Sequence, residues 1–406
     1  MKIRLTALVM LFVITAFSLS AQDQQETIQA LTSLTRGLEP LREVEVNFIT
    51  AQEEYSYSPE DYDQSWYELW SQFYRAFDLI APDTNLAKTD QAMSTQQGVG
   101  GYYVPGVDVL NIITPEAIEG EMSPLVAMVY AHEYTHALQD QHFDLEGDLS
   151  RLIDNTDEQA ALRALIEGDA MFTEQLFALA MADKDPAYLD PSLVGDYQHM
   201  AIVPAIFEDE SFLPYFDGMA FIKALHTLGG WEMVNSAYDD PPRSTEHILH
   251  PERYLAGDAP VEVALRPVGH VLPGWEEITD DTLGEFYLRA YLSTQLDSAV
   301  VNTAALGWGG DRYTIYYNSS RQKRAWVLRL VWDTVDDADE FAAAYRLFAA
   351  ARIDGVSREI DTDVTCWEHT GHNEALCMQT LPNGTLIASG VNSRQALDLL
   401  STQQAR

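Results

Sequence analysis

His132, Glu133 and His136 stand in the string HEYTHALQDQH, residues 132–142, in a chain of 406 residues that holds only 10 histidines. A separation of four puts two imidazoles on one helix face, one turn apart, where both can reach one ion. Glu133 is placed to take a proton from water at that ion. The pattern H-E-x-x-H on a helix therefore predicts a zinc site that activates water. The alternative is a helix with two surface histidines. The run Leu125–Ala131 ahead of the motif is apolar, which predicts one helix through the whole segment.

A catalytic zinc centre takes three protein ligands and keeps one position for water. Two residues compete for third place. His142 follows His136 by six residues, which is the spacing of the metzincin motif H-E-x-x-H-x-x-G-x-x-H. That motif needs its glycine to end the helix, and here the position holds Gln139, a good helix former. If the helix continues, six residues turn by about 600°, so His142 points away from the metal face. It then reads as a helix-end histidine favoured by the dipole, or as a group behind the ligands. Glu167 lies in ALRALIEGDAMF, within a helical pattern over residues 156–180 that starts at a capping box of Thr156 and Gln159. A carboxylate in an otherwise apolar stretch is costly unless it is paired or bound to a cation. Gly168 beside it would let two helices approach closely at the metal. Asp169 is either a carboxylate that orients a ligand histidine or a solvated helix acid.

H-E-Y-T-H-x-L-Q, followed by Glu167-Gly168 on a later helix, resembles the gluzincin metallopeptidases over roughly residues 95–175. That group includes thermolysin-like enzymes, and the wider spacing is most similar to bacterial collagenase-type catalytic domains. The resemblance implies His132, His136 and Glu167 as zinc ligands and Glu133 as general base. The chain lacks the N-E-x-x-S-D context of thermolysin and the N-E-G-F-A-like string of aminopeptidases, so no substrate class carries over. A second string, S-T-E-x-I-L-H-P-E-x-Y at Ser244–Tyr254, is similar to one in exported bacterial proteins.

Hydrolysis at zinc builds an oxyanion, which wants a hydrogen-bond donor beside the metal. Gluzincins often take it from a segment after the third ligand. His247 and His250, in the turn-rich DDPPRSTEHILHPERY, are the first candidates, with Tyr215 and Tyr254 behind them. The alternative is structural, since Pro-flanked turn residues commonly hold backbone groups. Tyr102–Ile112 is expected to be an edge segment able to pair with an extended peptide.

These residues need a scaffold. Residues 22–42 are polar with helical spacing and suggest a loosely packed leading helix. Glu43–Thr50 alternates like a strand, and Gln64–Ile80 carries aromatics at helical spacing. Residues 98–114 suggest a hairpin, and residues 192–238 a helical stretch stopped at Gly229-Gly230. Beyond about residue 265, strands at 324–334, DVTCWEH and CMQTLPNGTLIASGV alternate with helices at 337–352 and SRQALDLL. GWGGDRY, 307–313, reads as a turn and lacks the Lys and Ser/Thr of a phosphate loop. The expected class is α+β. It comprises a zincin-like catalytic domain over residues 22–265, with edge strands, the HExxH helix and a Glu-bearing helix, and a smaller α+β domain over residues 266–406.

Residues 1–21 carry Lys2 and Arg4, an apolar run from Leu5 to Phe17 and small residues after it, the pattern of an export signal. An uncleaved anchor is the alternative. Export predicts a secreted or periplasmic protein, with no membrane contact once the signal is removed. A net charge of −39, from 24 basic and 63 acidic residues, disfavours nucleic acid and anionic lipid as partners. Cys366 and Cys377 fall on neighbouring predicted strands and are either a disulfide or two buried thiols. The expected partner is a peptide or protein substrate. Two rivals remain at this point. One is a zinc hydrolase acting on another bond. The other is an exported binding protein whose metal site is structural or decayed, closed by a fourth ligand such as His142 or Asp169.

Overall fold

The computed structural model describes residues 21–50, 64–94, 100–114, 120–145, 155–185, 204–369 and 371–404. The expected export signal falls outside these residues except for Ala21, which opens the first helix. The first half runs α1 (Ala21–Arg36), β1 (Glu45–Thr50), α2 (Gln64–Ala76), α3 (Leu86–Ser94), β2 (Gly100–Val104), β3 (Val109–Thr114), α4 (Pro124–Phe143) and α5 (Thr156–Ala182). Then come α6 (Ala205–Phe212), a π-turn (Leu213–Asp217), α7 (Gly218–Asp239), α8 (Thr245–Leu249) and α9 (Pro251–Ala256). The second half runs β4 (Glu276–Asp281), α10 (Gly284–Ser293), α11 (Ser298–Ala305), β5 (Trp308–Asn318), β6 (Lys323–Trp332) and α12 (Val335–Arg352). It ends with β7 (Val356–Glu359), β8 (Val364–His369), β9 (Glu374–Leu381), β10 (Gly384–Gly390) and α13 (Ser393–Gln404). Helices and strands are thus mixed, and the C-terminal part is built on a sheet. No helix among the described residues is long and apolar enough to cross a membrane.

The first sheet has the order β1-β3-β2, with β1 parallel and β2 antiparallel to β3, so the expected hairpin forms and β2 lies at an edge. Leu110 and Ile112 of β3 are fully buried in a core shared with α4. The second sheet is antiparallel, in the order β4-β5-β6-β10-β9-β8-β7. Its residues obey the period of two. On β6, Trp326, Leu328 and Leu330 join one core with α10 and α12, while Ala325 and Val327 join another with α13. Cys366 and Cys377 stand opposite each other on β8 and β9 and are disulfide-bonded.

Three expectations need correction. GWGGDRY is not a turn: Trp308 onward forms strand β5, and the positive φ of Gly307 (77°) falls just before it. The cap of α5 is Asn155, whose side chain accepts from Glu158 N at 3.1 Å, while Thr156 N bonds Asp281 instead. Packing runs across residues 265/266. Phe77, the residue after α2, lies 5.3 Å ring to ring from Tyr291, Tyr313 and Trp326, so this early segment joins the core of the C-terminal sheet. Finally, α1 is not loosely packed, because its last residue, Arg36, is fully buried.

Candidate metal centre

Ser123 and Pro124 start α4. The Ser123 hydroxyl accepts from Val126 N at 3.3 Å, and proline suits a first helical position, where its missing N–H is not needed. Gln139 keeps the helix going to Phe143, and Asp144 ends it in a left-handed conformation with φ 56°. His132 and His136 therefore share a face, with ring centroids 4.9 Å apart. His142 lies on another face and reaches Glu39 O at 2.8 Å.

The second helix is brought in by glycine. A Cβ on Gly168 would sit 2.2 Å from the carbonyl carbon of Gly218, and one on Gly218 would sit 2.2 Å from Ala164 O. Helices α5 and α7 thus cross backbone to backbone, and no larger residue fits there. Glu167, beside this crossing, points its carboxylate at α4. Its Oε2 lies 3.3 Å from His132 Nε2 and 3.4 Å from His136 Nε2. Among the described residues, these three form the single group of ligand atoms able to hold a metal ion, all within 4.8 Å of one another. Two imidazole nitrogens and a carboxylate oxygen suit zinc. Tetrahedral ligands about 2.0–2.1 Å from one ion are spaced about 3.4 Å apart, which agrees with the two nitrogen–oxygen spacings found here.

Each of the two histidines is held from behind. His132 Nδ1 lies 3.2 Å from Glu174 Oε2. His136 Nδ1 lies 2.8 Å from Gln139 Oε1. Gln139 Nε2 in turn donates to Ile166 O at 2.9 Å and to Asp169 Oδ2 at 3.1 Å. Asp169 is therefore no solvated acid. It is fully buried and acts on His136 through Gln139. Gln139, noted in the sequence only for failing to be glycine, is the residue that orients a ligand. Glu174 was also missed, although it lies two turns beyond Glu167 on the same helix face.

Burial disfavours charge on His132, but hydrogen bonds to Glu167 and Glu174 outweigh it and hold the imidazole well above its ordinary pKa. His136 is raised in the same way, with the Glu167 charge overcoming burial. For Glu167, burial is outweighed by His136 and His132, and the carboxyl lies far below the usual carboxylate range. Glu133 differs: burial pushes it up, against the pull of both histidines. A raised carboxylate is suited to taking a proton from water and returning it. Gly101 on the edge strand β2 lies directly against this acid. A Cβ there would meet Glu133 Cγ at 2.7 Å, so only a bare backbone fits beside the base.

Tyr215 lies in the π-turn, with its ring centroid 6.0 Å from that of His132. Its hydroxyl is pushed up by burial and by the charge of Glu167, so it stays protonated and able to donate. π-turns often occur at functional sites. His247 and His250, the donors expected first, are not brought to the triad. His247 Nε2 is bonded to Asp258 O at 2.5 Å, and its Nδ1 accepts from Arg243 N at 3.2 Å. His250 Nε2 faces Glu285 Oε1 at 3.1 Å. Tyr254 donates to Asp240 O at 2.9 Å. The Ser244–Tyr254 string is a structural tie: Thr245 N bonds Asp157 on α5, and Phe286 N on α10 bonds Thr245 Oγ1. Both expected histidines are thus bonded elsewhere among the described residues, and Tyr215 is an aromatic hydroxyl beside the cluster.

A family model described as a domain of unknown function (DUF8575) matches residues 270–400. No curated protein and no solved structure matches the chain. The matched segment is the sheet with its helices, and it contains none of the clustered residues.

Proposed function

We propose that the chain is an exported, zinc-dependent peptide-bond hydrolase with a zincin-like catalytic half. The observation that supports this most is the convergence of His132, His136 and Glu167 beside the buried base Glu133. Zinc held by those three residues would supply Lewis acidity to a scissile carbonyl and to water. Glu133 takes the proton of the attacking water and hands it to the leaving nitrogen. The protonated Tyr215 hydroxyl donates toward the oxygen that becomes negative. The edge strand β2 runs against Glu133 at Gly101, and an extended peptide can add there as a further strand. A closed structural metal site is disfavoured, because the residues suggested as a fourth ligand are committed elsewhere. His142 bonds Glu39 O, and Asp169 bonds Gln139 and Tyr238. Incubating the zinc-loaded full chain with a mixed peptide library tests the proposal. Cleavage that stops with a chelator and returns with zinc is expected, and no cleavage of any peptide by zinc-replete protein would sink it.

A further inference from the structure

We infer that Arg36, the last residue of α1, is a positioning residue for the ligand His136. This rests on the metal-centre reading above. Arg36 is fully buried. Its Nε lies 2.7 Å from Asp169 Oδ1, and its Nη2 donates to Asn235 Oδ1 at 2.8 Å. Its guanidinium carbon lies 4.3 Å from the ring centroid of Trp231. Asp169 is on α5, whereas Asn235 and Trp231 come from one face of α7. Gly229 and Gly230 break that helix, with φ of −143° and 63°, and Trp231, Asn235 and Tyr238 then follow at i, i+4 and i+7. Gly37 ends α1 with φ 74°, and a Cβ there would meet Trp231 Cδ1 at 3.2 Å, so the chain leaves α1 tightly against the same ring.

The polar contacts form one line. Arg36 holds the Asp169 carboxylate from its Oδ1 side, which leaves Oδ2 facing Gln139. That oxygen accepts from Gln139 Nε2 at 3.1 Å and from the Tyr238 hydroxyl at 2.8 Å. With its nitrogen turned to Asp169 and Ile166 O, Gln139 has its oxygen facing His136 Nδ1. His136 then carries its proton on Nδ1 and leaves the Nε2 lone pair for the ion. Without Arg36 the Asp169 carboxylate loses its hold on that side, Gln139 is free to turn over, and its oxygen no longer has to face His136 Nδ1.

The test is the zinc dissociation constant of the full chain, measured by competition with a chromogenic chelator. Arg36→Met and Asp169→Asn are expected to weaken zinc by about tenfold or more, the usual effect of losing a group behind a ligand. Arg36→Lys, which keeps the charge, should restore part of the loss. Ile28→Ala, a cavity in the packed face of α1, should lower the melting temperature and leave zinc affinity unchanged. The inference is overturned if Arg36→Met and Asp169→Asn bind zinc as tightly as the native chain. It is also overturned if Ile28→Ala weakens zinc as much for the same loss of melting temperature. If Arg36→Met does not fold, Asp169→Asn decides alone. A native chain that binds no zinc removes the metal centre and this inference together, whereas native binding with both variants unchanged removes only the inference.

Discussion

The helices around His132 and the seven-stranded sheet bury different kinds of residue. Between α4, α5 and their neighbours the buried side chains include His132, Glu133, Gln139, Asp140 and Asp169. The sheet and its helices bury Trp308, Trp326, Trp332, Phe341, Tyr345 and Phe348. Burying apolar surface stabilises a fold in proportion to area, whereas burying polar groups costs free energy unless each is matched. A helix bundle that spends its interior on matched polar groups sacrifices stability for geometry, and the sheet supplies stability without offering chemistry. The family match follows the same line, since it covers the sheet and stops short of the polar helices.

Substitutions can break this contrast. The largest effect is expected at the centre itself. His136→Ala should lower bound zinc from about one per chain to none, read by elemental analysis, with circular dichroism unchanged. Trp326→Ala should do the reverse. Emptying that buried site should cost about 3–5 kcal/mol in a urea titration and leave the zinc content of the folded fraction intact. A Trp326→Ala protein that folds stably but loses its zinc would show that the two regions are not separable in this way.

Gly168→Ala tests the junction of geometry and packing. The added methyl meets the Gly218 backbone, so α5 and α7 must part, at about 1–3 kcal/mol. Because Glu167 is the adjacent residue, zinc affinity should fall as well. Unchanged affinity would mean that the crossing does not position the ligand.

The smallest expected effect concerns pH. Where the polar helices meet the sheet, burial pushes Asp157 up to about 7 and Asp311 up to about 6. Glu246 is pushed up to about 8, by burial and by the charge of Glu285. The folded chain therefore binds more protons than the unfolded chain between the ordinary carboxylate range and these values. Stability from this junction is fully present below the ordinary carboxylate range and is lost as pH rises from there to about 8. Urea midpoints should fall over that window, and Asp157→Asn should reduce the fall. A native midpoint that rises across the window would contradict the assignment.

The sequence made some of this legible because the signals are local. His132, Glu133 and His136 need only helical spacing, and Glu167 stood out as an acid in an apolar run beside Gly168. Strands β6, β8, β9 and β10 showed in the sequence while β5 read as a turn, and the two cysteines left a disulfide or two thiols open until β8 and β9 were seen to pair. What was missed depends on contacts across the chain. Arg36 in a polar helix carries no mark of its partner Asp169, and Phe77 carries none of Trp326. His247 and His250 misled because a turn rich in proline and histidine serves an internal tie as readily as a cleft wall.

The most direct test of the central claim is to measure zinc content and peptide hydrolysis together in the native chain and in Glu133→Gln. That change keeps the shape of the base and removes its ability to accept a proton. The expected result is about one zinc per chain in both proteins, with hydrolysis in the native protein and none above background in the variant. Hydrolysis by Glu133→Gln at the native rate, or a native protein that holds no zinc, would contradict the account.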